Sequence, residues 1–127
     1  MNAGLPRAHR LARRREIDLA YREGRRVRGK WLRLHVRLNG LDVSRLAMSV
    51  PSRLCNAVER NRWKRVLREC FRLHPEEVGT GLDIIAVPTC PPGTLSRSEV
   101  EVVWIDLVRR IRRELGTPPP PPRGPMP

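Results

Sequence analysis

The sequence is poor in negative charge. Its 127 residues carry 13 Asp and Glu against 26 Lys and Arg, a formal charge of +13 at pH 7. No apolar run approaches the ~20 residues of a spanning helix, which argues against a membrane protein. The basic start of the chain is not followed by the apolar stretch of a secretory signal. The three cysteines, Cys55, Cys70 and Cys90, are an odd set without paired spacing, which argues against disulfides. Cys70 and His74 stand four apart, but no second Cys/His pair exists to complete a tetrahedral zinc site. The scattered acids include no pair spaced to clamp two metal ions, as a self-sufficient protein nuclease requires. Repeats and coiled-coil heptads are absent too, which removes the dimeric frame of many DNA-binding regulators. A cytoplasmic domain with a polyanionic partner is expected.

What the chain does have is concentrated in Arg60-Asn61-Arg62-Trp63-Lys64-Arg65-Val66-Leu67-Arg68-Glu69-Cys70-Phe71-Arg72. On a helix stepping ~100° per residue, Trp63, Val66, Leu67 and Cys70 share one arc, with Phe71 at its edge. Arg60, Asn61, Lys64, Arg65, Arg68 and Arg72 are assigned to the opposite arc. A solvated face usually alternates signs, because i,i+4 pairs of opposite charge stabilise a helix. Here Arg60, Lys64, Arg68 and Arg72 are like charges at that spacing. A phosphate backbone is the partner that compensates them.

Local signals order the rest. A basic arm from Arg7 to Arg15 leads into a helix striped by Ile17, Ala20 and Tyr21 and stopped at Gly24. Arg25 to Gly29 reads as a short strand. From Trp31 to Leu38 the alternation places Leu32, Leu34, Val36 and Leu38 on one face and Trp31, Arg33, His35 and Arg37 on the other. Asn39-Gly40 predicts a hairpin, with Arg45 to Val50 as the returning strand ended by Pro51. Asn56 and Glu59 form a capping box, so the basic helix starts near Ala57 and stops at His74-Pro75. Leu82 to Val87 is a strand. Ser96 and Glu99 cap a last helix, striped by Val100, Val103, Trp104, Leu107, Val108, Ile111 and Leu115 and ended by Gly116. The prediction is one α+β domain over residues 1–116, in the order α-β-β-β-α-β-α with helices on a small sheet. Thr117 to Pro127 is expected to be a disordered Pro-rich tail.

The run Arg45-Leu46-Ala47-Met48-Ser49-Val50, followed by Asn56-Ala57-Val58-Glu59-Arg60-Asn61-Arg62-Trp63-Lys64-Arg65, closely resembles the bacterial ribonuclease P protein subunit. Gly81-Leu82-Asp83-Ile84-Ile85 resembles that family's following strand. Arg10-Leu11, Arg15-Glu16 and Tyr21-Arg22-Glu23-Gly24 resemble its opening helix. The likeness runs from about Arg7 to Arg113. The chain departs where the family commonly has Ser-Lys-Lys, here Pro51-Ser52-Arg53. It departs also at a usual glycine, here Cys55, and at a usual aromatic, here Ile17.

The resemblance implies the fold of ribosomal S5 domain 2, with a left-handed β-α-β crossover. It implies a ribonucleoprotein, one protein with one RNA, that removes the 5′ leader of precursor tRNA by endonucleolytic hydrolysis. The catalysis belongs to the RNA, and the Mg²⁺ ions are held mainly by RNA, with none assigned to the protein alone. No residue of this chain is expected to be catalytic. Arg53, Asn56, Arg60, Asn61, Arg62, Lys64, Arg65 and Arg68 are the expected contacts to the catalytic RNA. Tyr21, Trp31, Arg33 and His35 are the expected contacts to the leader, where stacking surfaces and backbone charges hold a single strand. Trp63 and Trp104 are assigned to the core. The principal alternative is a non-enzymatic ribosomal or RNA-chaperone protein using the same basic helix.

Overall fold

The computed structural model describes residues 5–116, so the expected tail from Thr117 to Pro127 lies outside the described residues. Four helices are numbered in chain order: α1 (Arg14–Glu23), α2 (Ala57–Leu73), α3 (Pro75–Val78) and α4 (Arg97–Leu115). The strands are β1 (Arg25–Arg28), β2 (Leu32–Leu38), β3 (Arg45–Met48) and β4 (Leu82–Pro88), and a 3-10 turn spans Arg7–His9. Apart from that turn and the one-turn α3, the order is the one predicted.

Both capping boxes form. The Asn56 side chain accepts from the Glu59 N–H at 2.8 Å while the Glu59 carboxylate accepts from the Asn56 N–H at 2.9 Å. Ser96 and Glu99 do the same for α4. These reciprocal bonds satisfy N–H groups that a helix start leaves without partners. At the other end of α4, Gly116 takes the left-handed conformation, with φ 72°. Gly24 ends α1 for a different reason. Its backbone is extended, but a Cβ there would lie 2.3 Å from the Ala20 carbonyl oxygen and 2.7 Å from that of Val36. Close approach of helix to strand, not backbone freedom, requires glycine at this position.

The sheet order is β1-β2-β4-β3. β4 pairs antiparallel with β2 and parallel with β3, so the predicted β2–β3 hairpin does not exist. The turn itself is present: Gly40 has φ 73° and the Leu41 N–H donates to Asn39 Oδ1 at 2.7 Å. It delivers the chain across the end of β4, where Asn39 N–H donates to the Gly81 carbonyl and Gly81 N–H to that of Val43. The cause is β4, which is buried at all seven positions. A strand buried on both faces belongs in the interior of a sheet covered on both sides, so β4 takes the place that the turn signal assigned to direct pairing.

Alternation along the strands divides the core in two. Leu32, Leu34, Val36, Leu82, Ile84 and Ala86 face α2 and α4 and join Trp63, Leu67, Cys70, Trp104, Leu107 and Ile111 in the main cluster. Ile85 and Val87 face the other way, with Leu11 and Ala20 and partly buried Ile17. Trp63 and Trp104 are both buried, as expected. α1 thus covers one sheet face and α2 and α4 the other.

Candidate nucleic-acid interface

Helix α2 presents its cations unequally. Asn61, Arg62 and Arg65 are exposed, and Arg60, Lys64 and Arg68 are half-buried. On the helical wheel Arg60 falls between the buried Leu67 and Phe71, so it lies on the buried arc rather than opposite it. Its Nη1 donates to the Cys55 carbonyl at 3.0 Å. Arg62 is committed elsewhere: its two Nη groups donate to the carbonyls of Gly93 and Leu95 at 2.7 and 2.8 Å, bracing the loop before α4. Asn56 spends its carboxamide oxygen on the cap. Arg72 pairs with Glu69 at 2.8 Å, which holds that carboxyl below its ordinary range. By contrast, the side chains of Arg53, Asn61, Lys64, Arg65 and Arg68 make no hydrogen bond or ion pair with any described residue. The charge compensation their repulsion calls for is not supplied within the described domain.

The opposite sheet face carries a second constellation. The rings of Tyr21, on α1, and His35, on β2, meet edge to face with centroids 4.7 Å apart. Arg33 Nε donates to His35 Nε2 at 3.0 Å, which fixes the ring proton on Nδ1. Burial first, then Arg33 and Arg26, push the His35 pKa down to about 4. The imidazole is therefore neutral at physiological pH, in a strongly positive neighbourhood. Tyr21 remains open to solvent.

Trp31 does not join them. It lies in the β1–β2 turn just before the strand, with φ 69°, and packs against the main cluster on the α2–α4 side. The Lys30 ammonium sits 4.8 Å from its ring centroid. β2 starts at Leu32, so Trp31 precedes the strand and lies outside its alternation.

Arg37 shares the face of Arg33 and His35, as expected, but its charge is paired within the fold. It lies 3.6 Å from Asp83, a fully buried carboxylate on β4, and 3.8 Å from Glu23 of α1. Arg45 on β3 donates Nε and Nη2 to the two Asp83 oxygens, both at 2.8 Å, and also reaches Glu16 of α1 at 3.2 Å. The Asp83 bond is the main reason the Arg45 pKa is raised. Asn39 Nδ2 donates to Asp83 as well, at 2.8 Å. α1 is thereby tied at Glu16 and Glu23 to the strands beneath it, and this sets the groove in which Tyr21 meets His35.

Among known proteins, the family model for ribonuclease P matches residues 5–112. The chain belongs to the ribonuclease P protein family. It is 44% identical over 70 residues to the ribonuclease P protein component of Desulfotalea psychrophila, covering 55% of this chain and 58% of that protein. To the component of Methylococcus capsulatus it is 33% identical, covering 84% and 87%. The RNase P protein from Thermotoga maritima superimposes with a TM-score of 0.74 at 30% identity, covering 80% of this chain and 96% of that one. The Staphylococcus aureus RNase P protein gives 0.72 at 26%, covering 82% and 95%. Membership implies an RNA partner.

No helix among the described residues is long and apolar enough to cross a membrane. Nor do three His, Cys, Asp or Glu side chains among them converge as a metal site requires. The acids nearest the ribonuclease P motifs are already engaged, Asp83 and Glu16 by Arg45 and Glu59 by the α2 cap. Two features of the site carry no local sequence signal. Arg28 stands opposite Arg33 across the β1–β2 ladder, which only the register reveals. The Arg45–Asp83 bridge spans 38 residues, and no local signal marks it.

Proposed function

We propose that this chain is the protein subunit of a cytoplasmic ribonuclease P, one protein with one catalytic RNA, acting on precursor tRNA. The outer face of α2, with Asn61, Lys64, Arg65 and Arg68 and with Arg53 just ahead of it, binds the catalytic RNA through its backbone phosphates. The groove between α1 and the sheet holds the single-stranded 5′ leader, with Tyr21 as a stacking surface and Arg33 and His35 as polar contacts. Mg²⁺ held mainly by the RNA would activate water and stabilise the leaving oxygen. The protein's part is to bind and orient.

The observation that carries this reading is the pairing of two RNA-suited surfaces in a ribonuclease P family member: uncompensated cations on α2, and an exposed Tyr21 against neutral His35. The test is reconstitution with a bacterial RNase P RNA. The protein should stimulate leader cleavage at low Mg²⁺, and the stimulation should shrink when the leader is trimmed to a nucleotide or two. Tyr21→Ala should lose ~1–3 kcal/mol of binding on long leaders only. Cleavage by rigorously RNA-free protein would overturn the assignment of catalysis. Absence of stimulation, with ribosomal RNA as the dominant copurifying species, would favour the ribosomal or chaperone alternative.

A further inference from the structure

Strand register brings two arginines to one end of the sheet, and the turn after β3 adds a third. Arg28 of β1 is the partner of Arg33 on β2, and Arg33 is the partner of Val87 on β4. Partners across a ladder project from the same face, so Arg28, Arg33 and Val87 form a row. The turn after β3 places Pro51, Arg53 and Leu54 beside that row, and Thr89 closes it. The result is a cleft of about 390 Å³. None of its lining residues is acidic. The side chains of Arg28 and Arg53 make no hydrogen bond or ion pair with any described residue, and Arg33 spends only Nε, on His35. Converging guanidinium groups without a carboxylate repel one another and match the oxygens of a phosphate.

We propose that Arg28, Arg33 and Arg53 form a single seat for an RNA backbone phosphate. It lies at the junction of two surfaces, since Arg33 belongs to the α1–sheet groove and Arg53 to the approach to α2. The identity of the RNA rests on the preceding reading. The phosphate belongs either to the leader or to the catalytic RNA. The seat itself rests on the geometry alone.

The free full-length chain tests the seat. His35 touches Arg33, so an anion held there should raise the titration midpoint of its ring by about half a pH unit. Histidine ring resonances are followed in inorganic phosphate and in chloride at matched ionic strength, with His9 and His74 as internal controls. A rise confined to His35, and abolished in Arg28→Gln/Arg53→Gln, supports the seat. Equal movement of all three rings, or an unchanged response in the double variant, overturns it.

In the holoenzyme, Arg28→Gln then identifies the source. A roughly fivefold loss of affinity for long-leader precursors alone assigns the phosphate to the leader. A salt dependence of RNA assembly shallower by about one unit, with all substrates affected alike, assigns it to the catalytic RNA. If neither change is seen, the seat is overturned as an RNA site. Failure of the wild-type protein to stimulate cleavage would remove the ribonuclease P reading and leave the phosphate titration standing.

Discussion

His35 shows how neighbours decide a residue's chemistry. In isolation a histidine titrates near pH 6.5, but burial beside Arg33 and Arg26 brings this one to about 4. Its folded pKa lies below the unfolded value, so between those values the unfolded chain binds more protons and stability falls as pH falls. The ring is partly open to solvent, so the loss is well short of full linkage, about 1–2 kcal/mol between pH 7 and pH 4. His35→Gln should remove that part of the slope in urea unfolding measured across the range. An identical pH profile in the variant would mean that the ring titrates normally.

Individual helices and strands combine several tasks, and the tasks separate by mutation. On α2, Lys64 has no partner among the described residues, whereas Arg62 bridges two carbonyls before α4. Lys64→Ala should leave thermal stability unchanged and make the salt dependence of RNA affinity shallower by about one unit. Arg62→Ala should cost about 1 kcal/mol of stability, for the loss of charge-assisted bonds at an exposed site, with a smaller change in salt slope. Equal behaviour of the two variants would mean that the Arg62 bonds contribute nothing. Under α1 the bridge is graded in the same way. Asp83→Asn removes the buried charge facing Arg45 and Arg37 and should cost about 3 kcal/mol. Glu16→Gln breaks a more exposed arm and should cost under ~1 kcal/mol. Chemical denaturation of both variants measures the difference, and equal losses would refute a role centred on Asp83.

Over the whole molecule, the acids are spent mostly on structural pairs while many arginines have no acidic neighbour. Arg72, Arg97 and Arg109 find carboxylates on α2, α3 and α4, but Arg53, Arg65 and Arg68 find none among the described residues. A charge of +13 left in this way repels itself. Raising KCl from ~50 to ~500 mM shortens the screening length to a few ångströms, so the melting temperature of the free protein should rise. The same salt should weaken RNA binding steeply. A melting temperature that falls with salt would mean that surface ion pairs outweigh the repulsion.

At that same scale, what was legible in the sequence was whatever depends on residues within a turn or two of each other. The capping boxes at Asn56 and Ser96 set the starts of α2 and α4, alternation set the inner face of β2, and the wheel sorted Trp63, Leu67 and Cys70 inward. The run of motifs from Arg45 to Arg65 was enough to point to the family. Four features were settled only by tertiary structure: the place of β4 between β2 and β3, the position of Trp31, the commitments of Arg60 and Arg62, and the meeting of Arg28, Arg33 and Arg53. A local signal reports which conformation a segment prefers and which face it buries. Which segments then meet depends on their competition for the same backbone hydrogen bonds and apolar surface, and that is resolved only when the whole chain packs.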